Sequence, residues 1–248
     1  MERFKFYDIS HRDHVVMNPL TVEKLDELIR LLHLAAGSLV LDVGSGKGEF
    51  LFRLAERTRV EALGVDLSPY CVEQARERGR RRRLMGQVAF ALEDGAALPV
   101  PNPRYDLAAC LGATFIFGGY RQTLERLLQL AAPGGLIVVG EPFWRKTPPP
   151  AYPEQAALGA DAFLTHAGNV NAGLELGLTL LYTLAASHDD FDRYEALQWQ
   201  AAERYAREHP EDPDVPELLS RQHEARDAYL QHGREALGWS LYLFQTPR

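Results

Sequence analysis

Leu39-Val40-Leu41-Asp42-Val43-Gly44-Ser45-Gly46-Lys47-Gly48-Glu49-Phe50 is the stretch whose reading decides the fold. Its first five residues form a short apolar run with a single acid, bounded by Gly37 and Gly44, and read as a buried strand. Three alternate glycines follow, then helix formers from about Lys47 to Arg57. A strand that turns so directly into a helix needs backbone angles, and a closeness of approach, that a missing Cβ allows. In open parallel sheets such a bend lies outside the carboxyl ends of the strands, where ligands bind. Taken alone, the glycine run also fits a plain strand–turn–helix.

The pattern repeats outward from this bend. Val60–Val65 reads as the next strand, and Ser68-Pro69 starts a helix toward Arg80, with serine as the cap and proline at the first helical position. Strands are expected at Gln87–Leu92, Tyr105–Leu111 and Leu136–Val139, the last preceded by a helix near Tyr120–Ala131 and by Pro133-Gly134-Gly135. Upstream, Val22, Leu25, Leu28, Ile29 and Leu32 recur at helical spacing behind Thr21, a cap. Alternating strands and helices imply right-handed crossovers and a parallel sheet covered on both faces, the α/β class. After Val139 the pattern changes. Thr147-Pro148-Pro149-Pro150 is a stiff connector, Leu178–Leu184 and Trp239–Phe244 supply two final strands, and residues from about 188 to 237 form a helical insertion between them.

The chain has 248 residues, enough for one large α/β domain spanning 1–248. Within it, 1–36 forms an amino-terminal lid and first helix, and 37–145 the core. A formal net charge of −7 gives no general reason to expect a polyanionic partner. Cys71 and Cys110, the only cysteines, imply no disulfide framework and fit a reducing cytoplasm. No apolar signal-like stretch follows Met1-Glu2-Arg3-Phe4-Lys5, and no run of about 18 apolar residues implies a membrane span.

Two further acids give the glycine bend its meaning. Asp66 ends the second strand in Gly64-Val65-Asp66-Leu67-Ser68, where a carboxylate can accept from both hydroxyls of a ribose. Asp94 follows the third strand in Leu92-Glu93-Asp94-Gly95-Ala96, where it can accept from an adenine amino group. Each acid alone is as well explained as a cap or turn former. Three successive strand ends carrying such groups are harder to explain that way.

With these motifs, together with Tyr105-Asp106-Leu107-Ala108-Ala109-Cys110 and Ala132-Pro133-Gly134-Gly135, the chain over about 39–141 resembles the class I S-adenosylmethionine (SAM)-dependent methyltransferases. The insertion and Gly140-Glu141-Pro142-Phe143-Trp144 are most similar to bacterial small-molecule enzymes related to the quinone-biosynthesis group. The resemblance implies a Rossmann-like sheet of seven strands, the last antiparallel, and SAM as cofactor. It places the methionine end of SAM at Asp42, Gly44, Ser45 and Gly46, the ribose at Asp66 with Leu67, and adenine at Asp94, Gly95 and Ala96. Cys110, Leu111 and Gly112 would lie near the transferable methyl group. A nicotinamide-dependent oxidoreductase is the rival for the bend, but its fingerprint is G-x-G-x-x-G, whereas Gly44, Gly46 and Gly48 give G-x-G-x-G.

The expected partner is a small-molecule methyl acceptor, and the residues facing it are less legible. Tyr7–Pro19 is dense in polar groups, and the resemblance implies a lid in which His14 acts as a base and His11 lines the pocket. The alternative is that both histidines are exposed or cap a helix. Glu141 is expected just past the fifth strand, orienting an acceptor hydroxyl or amine, with Phe143 and Trp144 walling the pocket; a loop carboxylate beside core aromatics fits equally well. Arg76, Arg78 and Arg80–Arg83 suit a helix end better than an RNA surface, so nucleic acid is not expected as a partner. His188, Asp189 and Asp190 suit a helix start better than a metal site, and no metal is expected. A SAM-binding protein without transferase activity and an RNA or protein methyltransferase remain the competing functions. Cys110-Leu111-Gly112-Ala113-Thr114-Phe115 lacks the Asn/Asp-Pro-Pro-aromatic motif of base-amine methylation.

Overall fold

The computed structural model describes residues 1–102, 104–155 and 162–248. Its strands are β1 (Leu39–Val43), β2 (Glu61–Asp66), β3 (Val88–Leu92), β4 (Tyr105–Leu111), β5 (Ala131–Trp144), β6 (Thr179–Ala185) and β7 (Leu237–Gln245). Its longer helices are α1 (Arg3–Ser10), α2 (Val22–Leu31), α3 (Glu49–Arg57), α4 (Pro69–Arg82), α5 (Tyr120–Leu130), α6 (Ala151–Gln155), α7 (His166–Glu175), α8 (His188–Glu208) and α9 (Val215–Ala228). The seven strands form one sheet in the order β3-β2-β1-β4-β5-β7-β6. The first five are parallel, and β7 lies antiparallel between β5 and β6. This is the Rossmann-like arrangement expected from the sequence.

Local chemistry sets the helix starts. Thr21 Oγ1 accepts from Lys24 N at 3.3 Å, and Ser68 Oγ from Cys71 N at 3.3 Å with Pro69 next in the chain. Ser187 and Asp190 form a reciprocal capping box at the start of α8. The acids at 189 and 190 therefore belong to a helix start, and Asp190 also takes the Lys24 ammonium at 2.7 Å. On one sheet face α2, α3 and the insertion pack around Leu25, Leu28, Leu51, Phe52 and Leu54. On the other, α5 and α7 pack around Leu124, Leu127, Leu130, Tyr242 and Phe244.

The arginines of α4 are paired within the protein, Arg80 and Arg81 at its surface. Arg78 and Arg82 reach the buried Glu49 carboxylate, Arg76 donates twice to Phe90 O, and Arg80 and Arg81 pair with Glu77. Three differences from the sequence reading matter for function. The amino-terminal segment begins with α1, whose start is capped by the Glu2 carboxylate accepting from Phe4 N and Lys5 N. The helix α7 had no clear apolar period to announce it. β5 continues to Trp144 because β7 pairs with it all the way, Glu141 opposite Ser240 and Trp144 opposite Leu237. Among the described residues no helix is long and apolar enough to cross a membrane.

Candidate functional site

The site is assembled where β1, β2, β3 and β4 end. Gly44 turns away from β1 at φ +72°, and the Gly44 and Ser45 amides donate to Val65 O at 2.8 and 3.1 Å, which ties the bend to β2. A Cβ on Gly44 would meet Ala113 Cβ at 2.4 Å, so only glycine lets the bend pass beneath the loop after β4. Asp66 accepts from Gly46 N through one carboxylate oxygen and from Ser68 N through the other, both at 2.8 Å. Each oxygen keeps a second lone pair for a hydroxyl donor. Asp94 accepts from Ala96 N at 2.9 Å and stands exposed at the rim.

Beneath the bend, Asp42 is buried with Oδ1 unpartnered, and Ser45 Oγ is likewise buried without a partner. Burial, and secondarily the Asp66 carboxylate, push the Asp42 carboxyl well above its usual range; burial also raises Asp66. Two carboxyls held close in a dry place are destabilised as a pair of anions, and a cationic ligand would relieve both.

The other wall comes from the two regions farthest from this core in sequence. Residues 11–18 cross the bend from α1 to α2, and Lys47 pins them: Nζ donates to His11 O at 2.7 Å and to Arg12 O at 3.2 Å. Asn18 Nδ2 donates to Leu111 O at 3.3 Å at the end of β4. The insertion closes over the top. His11 Nε2 meets the Tyr194 hydroxyl at 2.9 Å, His14 Nε2 meets Tyr194 O at 2.9 Å, and Arg204 pairs with Asp13 at 2.7 Å. Burial pushes His11 down to about 3 and lowers His14. Both rings are therefore neutral at physiological pH.

These walls line a partly open cavity of about 610 Å³. Of the residues the sequence assigned to the cofactor, Asp42, Gly44, Ser45, Gly46, Asp66, Leu67, Asp94, Gly95, Leu111 and Gly112 all line it. Cys110 and Ala96 do not. Strand alternation turns the Cys110 thiol into the fully buried α5/α7 face, and burial pushes it up; the Ala96 amide is taken by Asp94.

On the acceptor side the placement differs from expectation. His11 lines the cavity, whereas His14 lies behind it against Tyr194. Glu141, Phe143 and Trp144 are absent from the lining because their segment is strand, not loop. Alternation sends Glu141 and Phe143 to the α5/α7 face and Trp144 to the opposite one. There Glu141 accepts from Thr114 Oγ1 at 2.7 Å, with burial raising its carboxyl to about 7. Phe143 packs on His166, and Trp144 on Tyr152 and Phe163.

Lys47, Asn18 and Tyr194 carry this wall instead. The first stood in plain view inside the glycine bend, but its partners are carbonyls more than thirty residues upstream, which no local pattern records. Tyr194 has the aromatic-and-charged surroundings of an ordinary packing position. Among the described residues no group of three or more His, Cys, Asp or Glu could hold a metal ion.

The comparisons with known proteins agree with this geometry. A family model described as a methyltransferase domain matches residues 40–135, the stretch from β1 into the start of β5. The chain is 34% identical to the uncharacterised protein YjhP of Escherichia coli, over 96% of each chain. It is 34% identical to the demethylmenaquinone methyltransferase of Deinococcus radiodurans over 45% of this chain and 44% of that one. A crystal structure of a SAM-dependent methyltransferase from Thiobacillus denitrificans, in complex with S-adenosyl-L-homocysteine, superposes with a TM-score of 0.91 at 35% identity, covering 99% of each chain. The chain thus belongs to the class I SAM-dependent methyltransferases, enzymes whose cofactor is SAM.

Proposed function

We propose that this enzyme methylates a small acceptor in the cavity between the glycine bend and the residue 11–18 strap, and that it does so by positioning, without a protein base. The observation that carries this reading is the cavity itself, which joins ten of the twelve predicted cofactor residues to a wall in which burial leaves the lining histidine, His11, a weak base. SAM fits the residues present. The unpartnered Asp42 Oδ1 and Ser45 Oγ suit the ammonium and carboxylate end of its methionine. Asp66 suits the ribose hydroxyls, Leu67 and Gly95 the adenine faces, and Asp94 the adenine amine. When bound, SAM supplies a methyl group on a positive sulfonium: a bond forms from an acceptor lone pair to that carbon as the carbon–sulfur bond breaks and its electron pair returns to sulfur.

The residues of the chain would then hold the two partners in line and keep water out. Such orientation lowers barriers by as much as about 7–11 kcal/mol in well-oriented model reactions. His11, held neutral by burial, is a poor proton acceptor, so an acceptor proton leaves to solvent and not to this ring. In this reading His14 and Glu141 act through position. His14 fixes the backbone of Tyr194, and Glu141 fixes Thr114 beside the cavity residue Ala113. Calorimetric titration with S-adenosylhomocysteine tests the reading. Micromolar binding that weakens roughly ten- to a hundredfold in Asp66→Ala is expected; no binding to folded wild-type protein would overturn it.

A further inference from the structure

The acceptor end of the cavity holds a polar chain that the methyl transfer itself does not require. Ser10 Oγ lies 2.9 Å from His11 Nδ1, and His11 Nε2 lies 2.9 Å from the Tyr194 hydroxyl. Ser10 is fully buried at the end of α1, and its hydroxyl reaches back to Tyr7 O at 3.4 Å. With its own hydrogen directed at that carbonyl, Ser10 Oγ is left to accept from His11 Nδ1–H. The second ring nitrogen then carries the lone pair, because a neutral imidazole has one donor and one acceptor. In that tautomer Tyr194 donates to His11 Nε2, and burial keeps its phenol protonated. What the Tyr194 hydroxyl has left to offer the cavity is an oxygen lone pair. The same cavity carries apolar and aromatic residues, Phe4, Tyr7, Val15, Val16 and Phe115, the last largely exposed at its mouth.

We infer that Tyr194, oriented by the Ser10–His11 pair, is a specificity-determining residue that selects a compact aromatic or apolar acceptor presenting an O–H or N–H donor to its oxygen. This deepens the proposed function and rests on it. A site built to hydrogen-bond a donor rejects the isostere that lacks it, because the site's own polar atom is then buried unpaired.

The test uses the whole protein saturated with S-adenosylhomocysteine and two probes of nearly equal shape, phenol and anisole, titrated by ligand-observed NMR. Wild-type protein should bind phenol about fivefold more tightly than anisole, the ratio that about 1 kcal/mol sets. Tyr194→Phe should bring the ratio to near one while leaving S-adenosylhomocysteine affinity within twofold. His11→Phe frees the Tyr194 hydrogen, so anisole should gain and the ratio should also collapse, now from the opposite side. Equal affinities in the wild type, an unchanged ratio in Tyr194→Phe, or binding of neither probe would overturn the inference even if neither variant folds well, since the first and last need wild-type protein only. Failure of the wild type to bind S-adenosylhomocysteine at the outset would instead overturn the cofactor reading.

Discussion

The two walls of the cavity are built on different principles. The cofactor wall comes from three consecutive strand ends, so its key groups lie within about fifty residues and are held by the sheet register: Asp42 beside Gly64, and Asp66 beside Leu92. The acceptor wall brings residues 3–18 against residue 194 and fastens them with side-chain contacts: Lys47 on two carbonyls, His11 on Tyr194, Arg204 on Asp13. A backbone-built wall is rigid without a ligand. A wall fastened by side chains can open further when a few polar contacts part, which eases ligand entry and release.

The comparison breaks first at the glycine bend. Gly44→Val places a branched side chain at φ +72° and against Ala113, a combination of backbone strain and overlap that the rigid wall cannot absorb. S-Adenosylhomocysteine affinity should fall at least a hundredfold, read by calorimetry on material shown folded by circular dichroism. A tenfold loss or less would mean that the bend yields and that the contrast between the walls is false.

Glu141 sharpens the contrast by belonging to neither wall. Its carboxyl is raised from 4.5 to about 7 by burial, against the Thr114 hydrogen bond that lowers it. The sign follows from linkage: below pH 4.5 both states are protonated, and between 4.5 and 7 the unfolded chain loses its proton while the folded one keeps it. Stability is thus present at low pH and is lost as pH rises through about 7, by about 3 kcal/mol at 1.36 kcal/mol per unit. Glu141→Gln, which keeps an acceptor for Thr114, should abolish that part of the pH dependence in urea melts and leave S-adenosylhomocysteine affinity unchanged. A large affinity loss would return Glu141 to the site.

Asp66→Ala comes next. It removes a carboxylate that already accepts two backbone amides, so the bend loses support and the ribose loses its partner. Hydrogen bonds to a charged group contribute about 1.5–3 kcal/mol, so affinity should fall roughly ten- to a hundredfold. An effect below threefold would place the ribose elsewhere.

How much of this could be read in the sequence follows the same division. Strand alternation, Ser68-Pro69, the three glycines and the acids at 66 and 94 are local signals, and each became the element or lining residue expected. The hairpin and the helical insertion were legible for the same reason. Glu141 was misplaced because β5 runs on past Val139 only by virtue of its pairing with β7, a contact about a hundred residues away. With the strand extended, alternation and not proximity decides which way each side chain faces. Tyr194 and Lys47 were illegible as functional residues since their roles exist only once the amino-terminal strap has crossed the bend.

Lys47 offers the finest test of the side-chain-fastened wall. It is buried, and its ammonium donates to the carbonyls of His11 and Arg12; burial lowers its pKa, so the charge is held there at a cost. Lys47→Met keeps the length and apolar stem but removes the donor, freeing both carbonyls. Because a buried charge is replaced by a side chain of similar volume, global stability should change by less than about 1 kcal/mol. The strap should nonetheless open more often, with amide exchange in residues 11–17 accelerating about fivefold while β1 and β2 exchange as before. S-Adenosylhomocysteine should dissociate faster by a similar factor, since the strap covers the bend. If exchange quickened in β1 as well, the two walls would be one cooperative unit, and the distinction between a rigid cofactor half and a latched acceptor half would have to be given up.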